Sequence, residues 1–262
     1  MSNSQDSVAR RRAERRRRIR RKRIITTLLV LLIIGIITGA ILCFALLFPV
    51  ESINATGSKI YTAEQIVKAT EITEENNLLL VSEEKLFETV RKKLPYIDSL
   101  TIKKELPNSL KITVIDAKEY ASFATKDGYF TVSKKGYLLN RYDEAPENTF
   151  VIKCKTKNLV LGEFVQIEKK SDGEILKLIV ENCEIKNIPI NYIDITNSLT
   201  LEAKVCDRFI VNFGTYANLD KKIAHLSGMI SGIDKDKTGR INLSMWTSSK
   251  TEGSFVEGDV NK

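Results

Sequence analysis

The side chains able to do covalent or acid–base chemistry are few. His225 is the one histidine, and Cys43, Cys154, Cys183 and Cys206 are the four cysteines. A Cys/His/Arg site of the sortase kind would suit a tethered outer domain. However, His225 follows every cysteine, and Cys206-Asp207-Arg208 lacks the T-L-x-T-C context. No two cysteines have the spacing of zinc ligands or of a redox pair. Cys154, Cys183 and Cys206 read instead as small buried hydrophobes. Neither G-x-S-x-G nor H-E-x-x-H occurs. Asp234-Lys235-Asp236-Lys237-Thr238-Gly239 opens like a calcium loop, but the twelfth position is Met245 rather than a bidentate Glu, so a plain turn is expected. The carboxylates single out no pair. No catalytic residue, metal ligand or cofactor is therefore assigned, and the chemistry left is binding. An unpaired strand edge offers N–H and C=O groups to a partner strand. The candidate edge is the last apolar strand, Ile241, Asn242, Leu243, Ser244, Met245 and Trp246, with Lys222 on a nearby helix as a possible rim. Tryptophan is enriched at interface hot spots. Equally, Ile241, Leu243 and Met245 can face a core, with Trp246 covering its border.

The elements that must position this edge follow from pattern. Val50–Asn54 reads as a strand. Thr62 and Gln65 form a capping box for a helix to about Thr70. Ser82 opens a second helix whose Leu86, Val90 and Leu94 recur every four residues, ended by Pro95. Ile97–Glu105 and the alternating Leu110, Ile112 and Val114 are strands about a Leu106-Pro107-Asn108-Ser109 turn. The order β-α-α-β-β fills residues 49–119. Beyond it, residues 120–246 form a β-rich domain. Short strands at 120–125, 129–133 and 137–140 make a meander, with apolar runs at 150–153 and 159–162. Ser171 caps a helix to Asn182, and strands follow at 193–196, 199–205 and 209–213. Leu219, Ile223, Leu226, Ile230 and Ile233 form an amphipathic stripe, and a last strand covers 240–246. Residues 247–262 are polar, lack periodicity and are expected to be disordered. The fold class is α+β.

The chain has 262 residues and a net charge of +8. The excess sits in residues 1–23, which carry ten Arg and Lys22 against Asp6 and Glu14; the rest is close to neutral. A basic nucleic-acid groove on the folded body is therefore excluded. Residues 24–48 contain no charge. As a helix of about 37 Å, this run crosses a hydrocarbon core of roughly 30 Å. It is too long for a signal-peptide apolar region, and no A-x-A site follows it. The positive-inside rule places Arg15, Arg16, Arg17, Arg18, Arg20, Arg21, Lys22 and Arg23 in the cytoplasm, near anionic lipid, and residues 49–262 outside.

This order of parts resembles the FtsQ/DivIB bacterial cell-division proteins. The resemblance is carried by Val50-Glu51-Ser52-Ile53 entering Gly57, by Asn77-Leu78-Leu79, and by Pro95-Tyr96-Ile97. It continues through Leu106-Pro107-Asn108-Ser109-Leu110 and Ile112-Thr113-Val114, then Asp127-Gly128-Tyr129 with Gly136. Val211-Asn212-Phe213-Gly214 and Gly239-Arg240-Ile241-Asn242-Leu243-Ser244 complete it. Two departures are visible: Asp116-Ala117-Lys118-Glu119 replaces the family's frequent Glu-Arg-x-Pro, and Asn242 stands where Asp is common. The resemblance implies a single span, a POTRA domain and a β domain, at the division septum and without enzymatic turnover. It implies binding of DivIC/FtsB-like and FtsL-like membrane proteins by strand addition near the last strand, and regulation of the septal peptidoglycan synthase complex. The alternatives are a membrane-anchored cell-wall hydrolase or transpeptidase-like enzyme, and a POTRA-type ring component of a sporulation or secretion channel.

Overall fold

The computed structural model of the chain describes residues 25–39, 48–197, 199–246 and 253–260. The basic run with Arg15, Arg16, Arg17, Arg18, Arg20, Arg21, Lys22 and Arg23 lies outside the described residues, as do Ile24 and residues 40–47 of the expected span. Residues 25–39 form helix α1 with every side chain exposed. Its Thr38 Oγ1 donates to the carbonyl of Ile34 at 2.8 Å, which satisfies the hydroxyl within the helix. Among the described residues no helix is long and apolar enough to cross a membrane.

Next come β1 (Ser52–Thr56), α2 (Ala63–Ala69), a 3-10 turn at Leu78–Leu80, α3 (Glu83–Lys93), β2 (Ile97–Glu105) and β3 (Ser109–Asp116). The three strands form a sheet in the order β1-β3-β2. The capping box is present: Gln65 N donates to Thr62 Oγ1 at 3.2 Å, and Thr62 N to Gln65 Oε1 at 2.9 Å. Ser82 holds the N-cap position of α3 without a side-chain cap bond; Glu83 and Glu84 occupy the first turn, where the helix dipole favours anions.

The second sheet has nine described strands in the order β12-β11-β10-β9-β8-β7-β4-β5-β6. β4 (Glu119–Thr125), β5 (Gly128–Ser133) and β6 (Leu138–Tyr142) form the expected antiparallel meander. β7 (Phe150–Lys153) runs parallel to both β4 and β8 (Ile190–Asp194). β9 (Leu201–Val205) and β10 (Phe209–Gly214) follow antiparallel, and β11 (Gly239–Asn242) returns parallel to β10. Helices α4 (Lys170–Ile185) and α5 (Leu219–Gly232) contribute Leu176, Ile179, Cys183, Leu219, Ile223 and Leu226 to one core with the sheet. The N-cap of α4 is Lys169, two residues earlier than the expected Ser171. The apolar run 159–162 forms no strand; Gly162 is held in a left-handed turn with φ of 78°.

Two sequence expectations are corrected at the end of this sheet. The last apolar strand stops at Asn242, because Asn242 Oδ1 accepts from Ser244 N at 2.9 Å and turns the chain. Residues 247–262 are not uniformly without structure, since Ser254–Glu257 form β12, antiparallel to β11.

The chain divides into two compact units. The smaller holds residues up to Asn54 with Ile72–Val81 and Ile102–Lys111; the larger holds Ala55–Glu71, Ser82–Thr101 and everything from Ile112 on. In the smaller unit Leu78 N donates to Phe48 O at 2.8 Å, Val50 N to Asn76 O at 3.0 Å, and Glu51 N to Asn108 O at 2.9 Å. Lys104 Nζ donates to Leu79 O at 2.8 Å. In the larger unit Arg91, in the last turn of α3, is buried. Its Nε donates to Gly162 O at 2.8 Å, and its guanidinium lies 3.6 Å from the Tyr137 ring centroid and 4.8 Å from that of Phe87. Glu119 Oε1 accepts from the hydroxyls of Tyr96 (2.5 Å), Thr131 (2.9 Å) and Tyr142 (3.0 Å).

Candidate partner-binding edge

The described thiols are poor nucleophiles for a physical reason. Burial, helped by Asp172 and Asp194, pushes Cys154 up to about 12, and burial pushes Cys183 up to about 12. Both therefore stay protonated near neutral pH. Cys206 is only half-buried, in a left-handed turn, and burial raises its pKa too. His225 is half-buried, its ring 6.5 Å from that of Trp246. The segment that opens like a calcium loop is gripped by a cation: Arg208 Nη1 donates to the carbonyls of Asp234 (2.9 Å), Lys235 and Lys237 (3.4 Å).

The six residues taken as the partner edge divide by environment. Ile241 and Leu243 are fully buried in the core, and Trp246 is buried beside them. Asn242 and Met245 are exposed and Ser244 is half-buried. The Trp246 indole N–H has no hydrogen-bond partner among the described residues. β11 is not an open edge, because β10 flanks one side and β12 the other. Its register with β12 pairs Arg240 with Val256 and Ile241 with Phe255.

Lys222 is not an outer rim residue. It is 1% exposed, and its Nζ donates to Phe213 O at 2.6 Å and Thr215 O at 2.9 Å. The ammonium thus closes carbonyls that β10 leaves at its end, and burial holds its pKa below the usual lysine range.

Among the described residues the open edge is β12. Gly258 N donates to Thr238 O at 3.1 Å, so the groups facing β11 are those of Ser254, Val256 and Gly258. By the alternation of an antiparallel ladder, the N–H and C=O of Phe255 and Glu257 point to the open side. Phe255 anchors the strand edge-to-face on Phe209 at 5.9 Å, while Val256 is 64% exposed. Lys237 Nζ lies 3.5 Å from Glu257 at the strand's end. Gly239 permits the close pairing, since a Cβ there would sit 2.2 Å from Val256 O. The sheet's other edge is β6, where Leu138 N and O bond Glu163 O (2.9 Å) and Gly162 N (2.8 Å).

Comparison with known proteins agrees with this architecture. A family model described as "POTRA domain, FtsQ-type" matches residues 48–116. The chain is 26% identical over 207 residues to "Cell division protein DivIB" of Clostridium acetobutylicum, covering 78% of this chain and 82% of that one. It is 24% identical to the protein of the same name from Clostridium tetani, covering 78% and 79%. It is also 24% identical to that of Clostridium botulinum, covering 78% and 81%.

Proposed function

We propose, from the premise that this chain is a cell-division protein of the FtsQ/DivIB type, that it works as a scaffold without turnover. Residues 24–48 would anchor it with the basic run in the cytoplasm, and the POTRA domain near 49–119 and the β domain from 120 would stand outside. The exposed apolar side chains of α1 support the anchor, since Leu28, Leu31 and Ile36 are each more than half exposed, which water disfavours. The partners would be DivIC/FtsB-like and FtsL-like membrane proteins, and the assembly would position the septal peptidoglycan synthase complex.

The observation that carries the reading is the outer side of β12, which no strand among the described residues pairs. A partner strand placed there gains backbone hydrogen bonds to Phe255 and Glu257 and covers Val256. The partner site is thus moved outward by one strand from Ile241–Trp246, with Met245 as an exposed residue on the way. The test is Glu257→Pro in the full chain, co-purified with the FtsB-like and FtsL-like proteins of the same cell. Proline removes an outward N–H and spares the bonds to β11. Capture should fall at least about tenfold, the weight of roughly one hydrogen bond lost with its geometry. Glu257→Gln should capture normally. Undiminished capture by Glu257→Pro would move the partner off this edge.

A further inference from the structure

We infer that the smaller unit carries a lipid-docking tip, formed by Leu80 and Leu106, that rests on the outer surface of the membrane holding the chain. The inference rests on the reading that residues 24–48 span the bilayer, and goes beyond it by assigning a second contact with lipid.

The argument starts from the chain's exit. The expected span ends at Phe48, and after Pro49 and Val50 the first charge is Glu51. No free linker separates the two from the folded unit. Phe48 O accepts from Leu78 N at 2.8 Å, Pro49 bridges Asn77, and Glu51 N bonds Asn108 O at 2.9 Å. Three segments, 48–52, 76–80 and 104–109, therefore meet where the backbone leaves the hydrocarbon. Lys104 Nζ ties the second to the third through Leu79 O.

Two leucines project from this meeting point. Leu80 is 72% exposed and Leu106 is 63% exposed. Leu80 ends the 3-10 turn capped by Asn77, whose Oδ1 accepts from Leu79 N at 2.9 Å. Leu106 stands at the start of the turn between β2 and β3. Both side chains are displayed to solvent rather than folded away. A bare leucine in water is ordinary when single. Two on adjoining turns, at the point where the chain enters lipid, match the headgroup boundary, where apolar side chains sink about 5–10 Å.

Charge indicates how they would be held. The described part of this unit beyond α1 carries Lys103, Lys104 and Lys111 against Glu51, Glu74, Glu75 and Glu105. Attraction to anionic headgroups is therefore not the driving force, and the contact is hydrophobic. Tethering supplies a high local concentration, so two leucines suffice for a contact that a free domain would not keep.

The experiment uses the full chain reconstituted in lipid nanodiscs. Trp246→Phe removes the native emitter; it breaks no hydrogen bond among the described residues, because the indole N–H has no partner there. Leu80→Trp and, separately, Leu106→Trp then place the emitter at each tip. Lipids brominated high on the acyl chain should quench each by more than about half, as expected of an indole at the interface. Access to aqueous iodide should fall at least about threefold relative to tryptophan amide added to the same discs. Quenching should not change with the fraction of anionic lipid. Two tips, read independently, guard against one variant misfolding. Full iodide access without bromine quenching overturns the inference, and so does protection from iodide without bromine quenching, which would mean that protein covers the tip. Carbonate-resistant flotation of the unsubstituted chain tests the anchor separately. Retention with unquenched tips refutes docking alone, whereas loss of the chain from vesicles refutes the span and docking together.

Discussion

Arg91→Met removes a buried cation while keeping a stem of similar length. In the native joint the guanidinium donates to Gly162 O at 2.8 Å and lies 3.6 Å from the Tyr137 centroid. None of the ion pairs among the described residues involves Arg91. Loss of the charged hydrogen bond costs about 1.5–3 kcal/mol, and loss of a desolvated cation–π contact about 2 kcal/mol. Against this, removing the buried charge returns part of the total, about 2 kcal/mol of desolvation cost. The net expected loss is about 2 kcal/mol, or roughly 4–8 °C in Tm for a unit of this size. Thermal unfolding of the full chain in micelles, followed by the near-UV signal of Trp246, reads it. Gly162→Ala attacks the same joint from the other side, since its Cβ would lie 2.4 Å from Arg91 O at a φ of 78°. Because the alanine also displaces the carbonyl that Arg91 grips, the double variant should lose less than the sum of the singles. An Arg91→Met chain within about 1 °C of wild type, or strict additivity, would refute the account.

Two further predictions concern the edge and its support. Lys222 has its pKa lowered by burial, so between the folded and unfolded pKa the unfolded chain binds more protons and the group's contribution to stability rises with pH. Wild type should therefore gain on Lys222→Met as pH is raised from 7 towards about 10; a flat difference in Tm over that window would contradict it. Gly239→Ala forces a Cβ against Val256 O, so amide exchange at Ser254, Val256 and Gly258, which face β11, should quicken about tenfold or more, the equivalent of roughly 1.4 kcal/mol of lost local protection, while exchange in β4 to β6 stays unchanged.

What the sequence revealed depended on how local the cause was. The Thr62 capping box, the β4–β6 meander and the α5 stripe are set by residues a few positions apart, and their patterns survive folding. β12 was hidden because Ser254-Phe255-Val256-Glu257 buries only one side chain against the core and lacks an apolar run. Its pairing comes from Gly239, which has no pattern of its own. By its type Lys222 reads as an outer residue. On a helical wheel it lies about 40° from Leu226, at 100° per residue, and so falls within the buried arc. That angle was available before the structure; the carbonyls of Phe213 and Thr215 that make the position tenable were not.

The nine-stranded sheet also has a splice. β4, β5 and β6 pair with their immediate neighbours in sequence, and so do β8, β9 and β10. Among the described strands β7, four residues long, joins the two groups, using Phe150 to Ile152 on one side and Val151 to Lys153 on the other. Local hairpins close quickly, whereas parallel pairings between distant segments pay loop entropy first. The two halves can thus be assembled before they are one sheet, and their joining waits on the parallel pairings that β7 makes at Val151 and Ile152.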